Sequence, residues 1–120
     1  MNIFRSLAKN ENEVLHKLLN HDFPGSDVLR QQLVSCLAKD AEDDDNYGSI
    51  YLKTSLKERA EVVGQVPIEA TMEDNDSAPI LILLHVIDGY LGELEVLKLD
   101  GTPMQTKLSS EGMKVTINKS

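Results

Sequence analysis

Apolar positions recur in two rhythms along this chain, and the point where the rhythm changes divides it. Val14, Leu15, Leu18 and Leu19 fall at spacings of one, three and four, which predicts one buried stripe of a helix. Asn10 suits the N-cap, with Glu13 three residues on as the acid of a capping box, and Phe23-Pro24-Gly25 ends the element. Ser26 or Asp27 can cap a second, short helix carrying Val28, Leu29 and Leu33. After Leu33 the period becomes two. Val34, Cys36 and Ala38 alternate with Ser35, Leu37 and Lys39 as a first strand, and Gly48 to Lys53 reads as a second. Val66 to Met72 reads as a third, with Pro67 at its start or on an edge. Residues 56 to 61 fit either a helical turn or a loop.

The clearest element is a hairpin. Ile80 to Ile87 is an apolar strand, Asp88-Gly89 is the two-residue signal of a type I′ turn, and Tyr90 to Leu99 returns. Counting outward from that turn sets His85 opposite Gly92, Leu84 opposite Glu93, Leu83 opposite Leu94 and Ile82 opposite Glu95. One face then collects Leu81, Leu83, His85, Ile87, Tyr90, Leu94 and Val96, and is expected to be the core beneath the helices. The other collects Ile80, Ile82, Leu84, Val86, Leu91, Glu93, Glu95 and Leu97. A one-residue slip would exchange the two faces. Beyond Asp100-Gly101 the pattern weakens, and from about residue 104 the tail offers only the alternation Met113, Val115, Ile117 as a late strand.

The pattern as a whole predicts one α+β domain over residues 1–120, with two N-terminal helices on one face of a mainly antiparallel sheet of about five strands. A chain of 120 residues split in two would leave each half too small for a good core. With two Phe, three Tyr and no Trp, that core rests on Leu, Ile and Val.

Charge narrows the function. Twenty acids against twelve Lys and Arg give a net −8. That balance disfavours nucleic acid, whose phosphates need clustered cations, and an anionic membrane surface equally. It suits a basic protein partner, though it also suits plain solubility. One cysteine, Cys36, excludes an intramolecular disulfide, and Met1 to Glu13 lacks the apolar run of a signal peptide, so the cytoplasm is the expected compartment.

Candidate chemistry is sparse. Asp43-Asp44-Asp45-Asn46-Tyr47-Gly48 puts Gly at the sixth position of a calcium loop, but the twelfth is Thr54 rather than Glu. His16 and His21 are five apart, which misses the spacing of zinc ligands on one helical face. His85, on an apolar strand, reads as a hydrogen-bonded core residue with no metal, and its face opposite Glu93 and Glu95 argues against an acid–histidine pair. No catalytic residue and no cofactor is therefore expected. What remains is a set of acids that could meet a partner: Asp43, Asp44 and Asp45 in a solvated turn, and Glu69, Glu93 and Glu95 on one side of the sheet. The same acids would also suit a face that meets only water.

The stretch from Leu83 to Glu95, Leu-Leu-His-Val-Ile-Asp-Gly-Tyr-Leu-Gly-Glu-Leu-Glu, followed by Lys98-Leu99-Asp100-Gly101-Thr102-Pro103, resembles a family of small bacterial proteins with no established activity. Phe23-Pro24-Gly25, Gly48-Ser49 and Val66-Pro67-Ile68-Glu69 are similar as well, so the resemblance runs from about Leu7 to Pro103. In size, acidity and want of a catalytic signature the chain is also similar to immunity proteins of bacterial contact-dependent toxin systems. That likeness implies a partner: a basic toxin C-terminal domain, such as a nuclease, blocked by the acids named above. Two other readings stand beside it. One is a small-molecule or enzymatic pocket near His85 and Tyr90. The other is a homodimer paired through Ile80, Ile82 and Leu84.

Overall fold

In the computed structural model, which describes residues 3–42 and 47–119, two helices lie against one side of a single seven-stranded sheet. The helices are α1 (Lys9–Leu19) and α2 (Ser26–Val34). The strands are β1 (Arg5–Ser6), β2 (Leu37–Asp40), β3 (Ile50–Lys53), β4 (Ile68–Glu73), β5 (Pro79–Ile87), β6 (Tyr90–Lys98) and β7 (Lys114–Ile117). Their order across the sheet is β1-β2-β3-β6-β5-β4-β7, and every pairing is antiparallel.

The class is α+β, as the sequence predicts, but the sheet has seven strands rather than about five. The extra strands lie at the edges. Two-residue β1 is too short to show a period, and it is held by Arg5, whose guanidinium reaches Glu11 at 2.8 Å and Asp40 at 2.6 Å. At the other edge β7 pairs with β4, from Thr71 opposite Lys114 to Ile68 opposite Ile117. The first helix also starts differently. Its N-cap is Ala8, whose N–H donates to the Glu11 carboxylate at 2.8 Å, while Asn10 lies inside the helix and donates to the Leu108 carbonyl at 2.9 Å.

The core forms where the helical stripe meets the inner side of the sheet. Val14, Leu15, Leu18 and Leu29 are fully buried, and they face Ile68, Ile80, Ile82, Leu84, Leu94 and Val96, fully buried too. This overturns the face predicted for the hairpin. Ile80, Ile82, Leu84 and Val86 form the core row, and Leu81, Leu83 and His85 point to the other side, where they are half-buried. With Ile80, Ile82 and Leu84 beneath the helices, those three cannot pair across a homodimer.

The reason is one residue. Val86 stands opposite Leu91 and Ile87 opposite Tyr90, as the turn requires, but His85 stands opposite Glu93. Gly92 is therefore the extra residue of a β-bulge, and beyond it every side chain of β6 changes sides. One contact leaves no room for a side chain there: a Cβ on Gly92 would come within 2.7 Å of the Ile87 side chain, and on the other edge of β5 the Val86 N–H donates to the Gln65 carbonyl at 2.7 Å. The turn itself is as predicted, with Asp88 at φ 54° and Gly89 at φ 85°.

Two buried polar groups brace this frame. Gln32 of α2, fully buried, donates to the carbonyls of Glu58 and Gly89 at 3.0 and 2.9 Å and accepts the Leu91 N–H at 2.9 Å. At the far end of β6, the ammonium of Lys98 meets Asp74 at 3.0 Å, Asp76 at 2.6 Å and the Pro103 carbonyl at 2.9 Å, which ties the chain after β6 to the turn between β4 and β5. Cys36 is buried as a small apolar side chain, and burial pushes its thiol up to about 11 against a smaller opposing effect of the Lys53 backbone.

Candidate functional site

The helices cover one side of the sheet, and the strand registers show what stands on the other. Along the middle strands the outward residues form cross-strand rows. Glu69, Leu83 and Glu95 make one row, Thr71, Leu81 and Leu97 the next, and Lys39, Tyr51, Glu93 and His85 a third. Directly opposed side chains on an antiparallel sheet lie about 5 Å apart at Cβ. Leu83 is thus flanked on both sides by a carboxylate, and Leu81 and Leu97 continue the apolar ground next to it.

The structure therefore brings Glu69, Glu93 and Glu95 to one face, as expected, but over a different floor. The aliphatic side chains among them are Leu81, Leu83 and Leu97 instead of Ile80, Ile82 and Leu84. The other three candidates, Asp43, Asp44 and Asp45, lie outside the described residues. All three sheet acids are half-buried, so each already stands partly out of water beside its neighbours.

The bulge also places His85 on this face, and two expectations fall with it. His85 is not beneath the helices, and it does pair with an acid: its Nε2 lies 2.8 Å from Glu95 Oε1. On the far side of the ring, Nδ1 lies 3.0 Å from the Gln65 side-chain nitrogen. A Gln amide nitrogen can only donate, so the neutral ring accepts at Nδ1 and donates from Nε2 to Glu95. The Glu95 carboxylate is thereby fixed in direction. Glu69 is held as well, accepting from the Asn118 side chain at 2.8 Å. Acids fixed by hydrogen bonds lose less conformational freedom on meeting a cation than mobile ones do.

A second feature of the face escaped the sequence. Toward β1 the same side carries Lys39 and Lys53, whose ammonium groups sit 5.7 and 5.5 Å from the centre of the Phe4 ring. Arg59 lies 5.8 Å from the centre of the Tyr90 ring, and the Tyr90 hydroxyl donates to the Lys57 carbonyl at 2.6 Å. No sequence period links Phe4 to Lys39 and Lys53. Only the strand order β1-β2-β3 brings them together. Among the described residues no group of three or more His, Cys, Asp or Glu could hold a metal ion.

Residues 4–108 match the family described as Domain of unknown function (DUF6984). The chain belongs to that family. The match takes in both helices, six of the seven strands and the whole acidic face, and stops short of β7. The family's description assigns no activity. No curated protein and no solved structure matches the chain. No helix among the described residues is long and apolar enough to cross a membrane.

Proposed function

We propose that this chain is a non-catalytic binding module whose bare sheet face receives a basic protein partner. In its most concrete form the reading is a bacterial immunity protein, acting in the cytoplasm, that covers the basic surface of a toxin nuclease domain. The observation that carries it is the row Glu69–Leu83–Glu95, with two directed carboxylates on either side of an aliphatic side chain. Lys and Arg have the complementary form: an apolar stem to lie along Leu83 and a charged head to meet the acids. The net charge of −8 adds long-range steering toward such a partner.

One observation favours a second reading, an acid–base site for a small molecule around His85 and Tyr90. The His85–Glu95 pair can hold and move a proton. We place it second because both ring nitrogens are already engaged, by Glu95 and by Gln65, so a substrate would have to displace one of them.

The test is protection in cells. The chain is co-expressed with the toxin domain encoded beside its gene, and growth is followed. Parent protein restores growth, the variant E69K/E93K/E95K does not, and E13K, on the exposed side of α1, protects like the parent. A gene neighbourhood without a toxin, or full protection by the triple variant, overturns the reading.

A further inference from the structure

The ladder that joins the two halves of the sheet is short. β3 pairs with β2 along its whole length, from Ile50 opposite Asp40 to Lys53 opposite Leu37, but with β6 only at Ile50–Leu94 and Tyr51–Glu93. The bulge at Gly92 comes next on β6, and a bulged strand bends. Leu52 and Lys53 therefore have a strand beside them on one side only. The chain after β3 then crosses to the hairpin tip. There the Tyr90 hydroxyl donates to the Lys57 carbonyl at 2.6 Å, and the Ala60 N–H donates to the Gly89 carbonyl at 2.8 Å.

Between the end of β3 and the start of β6 this leaves an open cleft of about 430 Å³. Leu52 and Leu91, both buried, and half-buried Leu56 give it an apolar floor, with Tyr90 at one side. Its rim is cationic. Lys53 and Lys57 line it and are exposed, and Arg59 lies 5.8 Å from the centre of the Tyr90 ring. Lys53 also lies 5.5 Å from the centre of the Phe4 ring, but among the described residues none of the three cations makes an ion pair. Two acids stand close in sequence or register. Glu58 is exposed between Lys57 and Arg59, and Glu93 stands one row further along the sheet, beside Tyr51. In a chain of net −8, the rim is still a local excess of positive charge.

We propose that this cleft binds a small amphipathic anion, with one carboxylate or phosphate head on a short aliphatic body. A volume of a few hundred Å³, an apolar lining and a few placed polar groups are the features of a small-molecule site. The body lies on Leu52, Leu56 and Leu91, where it leaves water, and the head meets Lys53 and Lys57 at the rim. A cation is repelled by the three positive groups, and a neutral apolar molecule gains nothing from them. Because the rim is solvated, its charges add selectivity more than strength. An eight-carbon ligand accordingly binds with a Kd on the order of 0.1–1 mM. The site uses none of Glu69, Glu93 and Glu95 and involves no reaction, so it stands apart from the partner surface and from the acid–base reading around His85.

Titration of the full isotope-labelled chain, followed by backbone amide NMR, tests this with three probes of one length: octanoate, octyl phosphate and octanol. The parent is compared with K53E/K57E and with K114E, whose lysine lies on edge strand β7, and circular dichroism confirms that each is folded. At least one of the two anions saturates the parent in the stated range, with shifts gathered at residues 52–57 and 90–91, and the tighter of the two identifies the head. Octanol binds at least about tenfold more weakly, K53E/K57E loses at least about tenfold in affinity for the anion, and K114E binds like the parent. Absence of saturation by either anion, shifts centred elsewhere, octanol binding as tightly as the anions, or an unchanged K53E/K57E overturns the proposal and leaves the partner reading untouched.

Discussion

Leu91 and Leu94 both point into the core although they stand three positions apart in one strand, an odd step. Gly92, the bulge residue between them, makes this fit by taking up the odd step. Removing Gly92 would leave Leu91 and Leu94 two positions apart, in plain alternation, with both still facing the core and His85 still opposite Glu93. Loss of one buried Leu from the core would cost about 2–5 kcal/mol, and the deletion avoids that loss. We expect the Gly92 deletion to fold with a stability loss in urea denaturation below that range, with His85's contact to Glu95 kept in the histidine ring NMR signals. A loss of about 2–5 kcal/mol, with the His85 signals changed, would mean that the strand has slipped and that Gly92 is not the extra residue.

The turn is constrained more tightly than its φ values alone imply. Gly89 is at φ 85°, and a Cβ there would meet Arg59 Cβ at 2.8 Å and the Ala60 carbonyl oxygen at 2.9 Å. The substitution G89V must therefore carry a β-branched residue in left-handed backbone, at about 1–2 kcal/mol, and also push back the 59–60 segment whose Ala60 N–H donates to the Gly89 carbonyl at 2.8 Å. A fall in melting temperature larger than that of G101V is expected, since Gly101 has φ 76° but nothing within 4 Å of its Cβ position. Equal falls would show that the close approach contributes nothing.

Acid sensitivity should centre on Asp74. Burial pushes its carboxyl up, but hydrogen bonds from the Gln105 N–H, Lys98, the Asn75 N–H and the Thr106 hydroxyl reverse this and hold it well below its ordinary 3.8. A carboxyl depressed on folding stabilises the protein fully above its unfolded value, and that contribution fades as pH falls toward the folded value. Lys98 runs the opposite way. Burial lowers it, the two aspartates more than compensate, and its contribution is present below 10.5 and lost as pH rises through the raised value. D74N should therefore be less stable than the parent at pH 7, and its stability should change less between about pH 4 and pH 2. An acid limb as steep as the parent's would place the acid-sensitive group elsewhere.

Much of this architecture could be read from periodicity. The helical stripe Val14–Leu19 and the Asp88-Gly89 turn lie where the pattern puts them, because each is a local signal that the sequence must state directly, whereas the change to period two comes later than Leu33, since α2 runs on to Val34 and β2 begins only at Leu37. The hairpin faces differ from those the pattern predicts for a specific physical reason: strict alternation through Gly92 takes no account of the bulge. The spacing Leu91, Leu94, Val96, three then two, is the trace of that bulge in the sequence. The His85–Glu95–Gln65 line depends on the bulge and on the loop before β4, and the pair of lysines beside Phe4 depends on strand order. Neither has a local signature. Glu69, Glu93 and Glu95 reach a common face all the same, because the bulge moves Glu93 and Glu95 to the outer side, where Leu83 replaces Leu84 as their neighbour.

Whether the outer row of acids is the partner surface is decided by a binding titration at two ionic strengths. Purified toxin domain from the neighbouring gene is titrated against the parent, E93K/E95K and D43N/D44N/D45N at about 0.1 M and about 0.5 M salt, where the screening length falls from ~10 Å to about half that. Acids desolvated at the contact leave a partner cation unpaired when they are lost, at about 2–5 kcal/mol, whereas charges that only steer affect the association rate and fade with salt. The prediction is that E93K/E95K binds at least about thirtyfold more weakly at both strengths, while the triple Asp variant differs from the parent only at the lower one. Both variants binding like the parent at both strengths would contradict it.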